Sequence, residues 1–217
     1  MKHLAFAAAP VALAMCLPPA EAHARPVSYE GGRTLIVEHD RDMSAIWAHY
    51  TPHHRYSIGY RGEWHREDDH AFHGVQATWL ANRWFGEDYQ ANLYLFGAAG
   101  LAYGVDDNPA GSGAAGSLGL MADWETRRWF VSYMARGFAG ETVGEMAMQS
   151  ARLGVAPYVA NYGALHTWLM VQVEHNPQAE NPVGVTPLVR FFQGPLMAEF
   201  GWSVTDDKPF LQFQYRF

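Results

Sequence analysis

Cysteine is almost missing from this 217-residue sequence; Cys16 is the only one. It lies in an apolar run, Leu4 to Leu17, that follows Lys2 and His3 and precedes Ala22-His23-Ala24. A basic start, an apolar run too short for a membrane span and an A-x-A site read as a secretory signal peptide cleaved before Arg25. The remaining chain then has no cysteine, which excludes a disulfide framework. Lysine is equally scarce: beyond Lys2 there is Lys208 alone, against 13 arginines. The net charge is −7, and signal removal leaves it unchanged because Lys2 and Glu21 depart together. So acidic a chain argues against a nucleic-acid partner. Long apolar runs are also missing after residue 24, which excludes a transmembrane helix. If this chain crosses a bilayer, it does so as a closed barrel.

Aromatic residues at 14 % and 21 glycines suit an all-β protein rich in turns. Alternating segments recur along the chain, separated by turn residues. They predict twelve strands near 33–38, 43–50, 55–64, 73–84, 89–103, 114–125, 128–137, 145–156, 165–175, 184–192, 196–204 and 210–217. Alternate links are short, such as Thr51–His54, Gly86–Asp88, Thr126–Arg127, Tyr158–Gly163 and Gln193–Pro195. The intervening ones include the longer, more acidic stretches Arg66–Phe72, Val105–Gly113, Ala139–Gly144 and Asn176–Val183. Membrane barrels sort their loops in this way, with short periplasmic turns and longer extracellular loops. One face of each strand is apolar, as in Leu118, Leu120, Ala122 and Trp124 or Ala198, Phe200, Trp202 and Val204. Aromatics crowd the short turns (Tyr50, Tyr56, Trp84, Phe85, Trp124, Trp129, Tyr158, Tyr162, Phe191, Phe192), as an interfacial girdle would.

The last eight residues fit the same pattern. Leu211, Phe213, Tyr215 and Phe217 form one apolar face, and Gln212, Gln214 and Arg216 a polar one. A chain that ends on such a strand, with a terminal Phe, resembles the Gram-negative outer-membrane β-barrel proteins. The resemblance implies an outer-membrane location after secretion to the periplasm. It also implies contact with membrane lipids and lipopolysaccharide, and recognition of Phe217 by the barrel assembly machinery. The expected architecture is all-β: a signal peptide over 1–24, then one antiparallel up-and-down barrel of about twelve strands over 25–217. No subfamily motif accompanies the resemblance, so it speaks to fold and location rather than to function.

The opposite parity faces the lumen. It collects Arg61, Glu63, Asp123, Arg136, Arg152, Glu174, Arg190 and Glu199. Arginine pairs bidentately with carboxylates, so this set reads as a lumen cross-braced by ion pairs; the alternative is a narrow pore whose cationic wall favours anions. The same parity carries Met121, Met134, Met146, Met148 and Met170 beside His49 and His166. Thioethers select Cu(I) and imidazoles take copper or zinc, whereas the plainer reading is that methionine fills gaps. Asp68, Asp69 and His70, in the loop from His65 to His73, could serve a water-activating hydrolase at the outer rim. The expectation is a non-enzymatic outer-membrane barrel, a small pore or a structural or binding protein that handles soft metal ions. The alternative is a rim hydrolase.

Overall fold

The computed structural model describes residues 26–66, 69–105, 111–161 and 163–217. The expected signal peptide, Asp68 and Tyr162 lie outside the described residues. Among those residues are twelve strands: β1 (Arg33–His39), β2 (Met43–His53), β3 (Tyr56–His65), β4 (His70–Phe85), β5 (Tyr89–Gly104), β6 (Ser112–Thr126), β7 (Trp129–Gly140), β8 (Gly144–Val155), β9 (His166–His175), β10 (Val183–Gln193), β11 (Leu196–Ser203) and β12 (Lys208–Arg216). Each pairs antiparallel with its neighbours in sequence, and β1 pairs with β12, so the barrel closes. Closure leaves no strand edge, the condition for a sheet to cross lipid. At the seam, Arg33 and Phe217 exchange backbone bonds of 2.8 and 3.0 Å.

The predicted strands are all present, with two local differences. β4 begins at His70, where His65 and His70 are direct cross-strand partners. The histidine-rich stretch read as loop is therefore mostly strand. The loop asymmetry is also weaker than the sequence suggested. Strands β7 and β8 run on to a tight turn over 141–143, with Gly144 at φ +69°, while β8 and β9 are joined by the longer 156–165. At the remaining connections the expected ends hold, with turns at 54–55, 86–88, 127–128 and 194–195 on the short-turn side.

The outer wall is apolar. Val75, Leu101, Leu118, Leu153, Phe200 and Val204 project from it, Leu118 with 76 % of its surface bare. Each such side chain would gain about 1.5–3 kcal/mol by leaving water, so a wall built this way belongs in lipid. The few polar groups on that wall satisfy one another, as a medium without water requires. His73 is bonded through Nδ1 to the Tyr60 hydroxyl, and its Nε2 lies 2.8 Å from the Tyr103 hydroxyl. The Tyr133 hydroxyl donates to Gln149 Oε1 at 2.7 Å, and the Gln149 amide meets His175 Nδ1 at 3.0 Å. Among the described residues, no helix is long and apolar enough to cross a membrane.

Inside, three apolar clusters divide the lumen. Phe72, Ala98, Ala102 and Phe138 pack toward the long-loop end. Phe130, Met170, Leu188 and Phe210 pack on the opposite wall. Val27, Leu80 and Tyr94 form the third. Val27 belongs to the segment preceding β1, which folds inside the barrel. The Ser57 hydroxyl donates to the Pro26 carbonyl at 2.9 Å and holds that segment against β3.

Candidate functional site

Two ion-pair braces cross the lumen. In the first, Arg136 on β7 donates from Nη1 and Nη2 to the two carboxylate oxygens of Glu63 on β3, at 2.7 and 2.8 Å. Arg61 also donates to Glu63 and reaches Gln76 Oε1 at 2.7 Å. His65 Nε2 lies 3.0 Å from the remaining carboxylate face. The intervening strands allow the reach because their inward positions are small: Gly74, Ala98, Gly100, Ala102 and Ala115. In the second brace, Glu199 is fully buried and accepts from Arg190 Nε at 2.5 Å and from Arg152 Nη1 at 2.9 Å. Arg152 also donates to Gln172. Ring faces cover the cations. Arg61 lies 4.3 Å over Trp47, Arg190 4.7 Å over Phe130 and Arg152 5.3 Å over Phe210. A carboxylate withdrawn from water is tolerated only with this degree of pairing.

The remaining predicted lumen residues are placed more simply. Asn92 donates to Asp123 Oδ1 at 2.7 Å. Glu174 stands at the long-loop end of β9, opposite Gly184. Simple alternation from Leu80 would put Asn82 in the lumen too, but it does not point there. A register shift between Leu80 and Asn82 turns it outward and brings Arg83 inward, where its Nε meets Asn92 Oδ1 at 2.6 Å. Phe192 likewise faces the lumen rather than the outer girdle, and Phe85 also borders the interior.

Between the braces and the short turns lies a cavity of about 1180 Å³. Its wall runs from the turn residues Gly86–Asp88, Arg127, Gly163 and Gly194 up to Glu38, Met43, Arg61, Arg136 and Arg152. Beyond those residues, Glu63, His65, His70, Phe72 and Phe138 fill the lumen. The far mouth over β1 and β9–β12 is tied by Arg41, in the turn between β1 and β2. Arg41 is 3.0 Å from Asp206, donates to the Asn181 carbonyl at 2.5 Å and meets Asp42 at 3.1 Å. It lies so close over Gly184 that a Cβ there would stand 2.0 Å from Nη1. Lys208 donates to the Arg41 carbonyl at 3.2 Å. In the same turn, burial pushes the Asp40 carboxyl up from its ordinary value, although the Met43 and Asp42 amides bond to it. Arg66, which donates to the Asp40 carbonyl, is lowered by partial burial.

All seven methionines among the described residues have inward parity, but they do not gather into one cluster. Met121, Met134, Met148, Met43 and Met197 border the cavity. Met146 packs against the Phe72–Phe138 cluster and Met170 inside the Phe130–Phe210 cluster. His49 and His166 border the cavity at separate strands. Among the described residues, no group of three or more His, Cys, Asp or Glu is arranged to hold a metal. Inside the long-loop end, His70 is 1 % exposed and stacks on His65 with ring centres 4.4 Å apart. Asp69 stands in the turn with φ +46°.

The sequence pattern missed Arg41, because it sits in a three-residue turn whose partners come from two distant loops. Trp47, Phe130 and Trp168 also line the cavity, and their residue type gives no sign in the sequence of a lumenal role.

No known family model matches this chain, and no curated protein matches it in sequence. Solved structures do. The chain is similar to the KdgM porin at 9 % identity and a TM-score of 0.47, over 86 % of this chain and 98 % of that one. It is also similar to the outer membrane protein OprD from Pseudomonas aeruginosa, at 9 % identity and a TM-score of 0.38, over 81 % of this chain and 59 % of OprD. An improved OprD structure matches at 9 % identity and 0.38, over 87 % and 67 %. The closed ladder and the apolar wall of the chain itself carry the conclusion: it is a twelve-stranded, antiparallel β-barrel built to span a membrane.

Proposed function

We propose that this protein is a non-enzymatic outer-membrane barrel that acts as a small pore or binding barrel, loaded from the short-turn side. The observation that carries the reading is the cavity that reaches from the short turns to the Arg136–Glu63 brace. Its inner end is filled by side chains, and the far mouth is tied by Arg41. Such a lumen passes solute only when the far end loosens. A closed state with rare opening is therefore expected, not a wide diffusion pore. Burial of His70 removes it from the rim and favours this reading over a hydrolase. The outer-membrane placement is supported by the closed strand ladder and the apolar wall.

Single-channel recording of the refolded protein in planar bilayers tests the proposal. Brief, low-conductance openings that lengthen in Arg41→Ala are expected. A silent wild-type barrel whose Arg41→Ala variant is also silent would leave binding as its only transport-related role. Release from cells by buffer without detergent would defeat the membrane placement itself.

A further inference from the structure

The lumen of a pore for hydrated solutes is polar, whereas this cavity sets a row of apolar side chains among its polar ones. Tyr94, Met121 and Met134 are successive cross-strand partners on β5, β6 and β7, all facing inward. Met148 stands diagonally beside them on β8, opposite Arg136. Trp47, Phe130 and Trp168 border the same space.

The arginines on the inner wall are already committed. Arg61 and Arg136 hold Glu63, and Arg152 and Arg190 hold Glu199. Ring faces lie against these guanidinium groups. An anion entering here would have to displace a carboxylate that is itself buried, at the cost of leaving that carboxylate without partners. The entrance is acidic, with Glu87, Asp88 and Glu125 against Arg127, while the inner end is lined by arginines. The two ends therefore favour opposite signs, and no single net charge suits the whole cavity.

We infer that the cavity is a binding site for an uncharged, largely apolar small molecule that enters between the short turns. This inference rests on the proposed binding-barrel reading and names its ligand class. Methionine suits the task because its unbranched, polarisable side chain moulds to guests of different shape. A volume of about 1180 Å³ accepts a guest of drug size or larger.

The test uses the refolded protein in lipid nanodiscs, with N-phenyl-1-naphthylamine as a fluorescent probe and empty nanodiscs as background. Saturable binding above background is expected. It should weaken at least about tenfold in Met134→Glu, which puts a charge in the methionine row, and in Ser150→Trp, which fills the space opposite Met134. The triple variant Met121→Leu, Met134→Leu, Met148→Leu should bind within about threefold of the parent, because apolarity is kept. Heat-modifiable gel mobility establishes that each variant is a closed barrel; if Met134→Glu does not fold, Ser150→Trp alone decides. Binding no different from empty nanodiscs, or unchanged in Ser150→Trp, overturns the inference. Loss in the leucine triple variant also overturns it, and moves the chemistry to thioether ligation, to be read by Cu(I) titration. Conductance of the same preparation is scored separately, so a barrel that conducts without binding the probe keeps the proposed function and loses only this ligand class.

Discussion

Arg136 and Glu63 are 73 positions apart in the chain and face each other across the barrel, joined by two hydrogen bonds of 2.7 and 2.8 Å. Strands β3 and β7 are not neighbours in the ladder. The pair therefore fixes a cross-section of the barrel that backbone bonding alone leaves free.

Removing one partner should cost far more than removing both. Arg136→Met leaves a buried carboxylate with Arg61 and His65 as its remaining partners, and is expected to destabilise the barrel by about 3–5 kcal/mol. Arg136→Met combined with Glu63→Met should cost less than the single change. Urea unfolding in lipid vesicles, followed by tryptophan fluorescence, measures both. Equal losses for the single and double variants would mean that the brace adds nothing beyond packing.

Arg41 ties three loops by contacts that lysine cannot reproduce, because they need the planar fork. Arg41→Lys and Arg41→Ala should both speed protease cleavage within 176–182 and 204–207, by about tenfold or more for alanine if one charged hydrogen bond worth about 1.5–3 kcal/mol is lost. Gly184→Ala should do the same without touching the arginine, because the new methyl group occupies the guanidinium's place. Cleavage unchanged in all three would show that the loops hold each other without Arg41.

The segment before β1 narrows the short-turn mouth. Val27 is 3 % exposed and packs on Leu80 and Tyr94. Val27→Asp buries a charge with no partner there and should release the segment, raising open-channel conductance while the ladder survives. Val27→Ala should cost only about 1 kcal/mol and leave conductance unchanged. Far-ultraviolet circular dichroism separates release of the segment from loss of the barrel.

Acid should strengthen the long-loop end through Asp40. Burial raises its folded-state pKa above the ordinary value of 3.8, against the neighbouring Arg66 and the backbone amides and together with Asp42. The folded state thus takes up the proton before the unfolded state does. Its contribution to stability grows as pH falls through the raised value, is complete below the ordinary one, and is lost as pH rises again. The difference in unfolding free energy between the parent and Asp40→Asn, measured from pH 8 down to pH 3, should follow that sign. A flat difference would show that the carboxyl carries no burial penalty.

The barrel was legible in the sequence because its signals are local. Alternation places Leu118 and Trp124 on one face and Met121 and Asp123 on the other, and no distant residue can alter that parity. Parity failed where the strand itself is irregular. The shift between Leu80 and Asn82 exchanges the faces of Asn82 and Arg83, and nothing in the residue types announces it. Inward arginines and carboxylates were also readable, but not their pairing, since Arg136 chooses Glu63 across three intervening strands while Arg152 chooses Glu199. His70 shows the limit most clearly. Its charged neighbours suggested a solvated rim, whereas pairing with His65 continues the hairpin and draws the ring into the Phe138 cluster.

The contact between Lys208 and the Arg41 carbonyl spans 167 positions, and the Arg33–Phe217 exchange joins the two ends of the strand array. Neither can form while the sheet is an open ribbon. They sit at opposite ends of the shortest route from first strand to last, one on each side of the membrane. A cysteine pair or a distance label placed at either would be silent through every earlier stage of insertion, and would signal only when the ribbon becomes a ring. Comparing the two in time would tell from which side of the bilayer the ring is zipped.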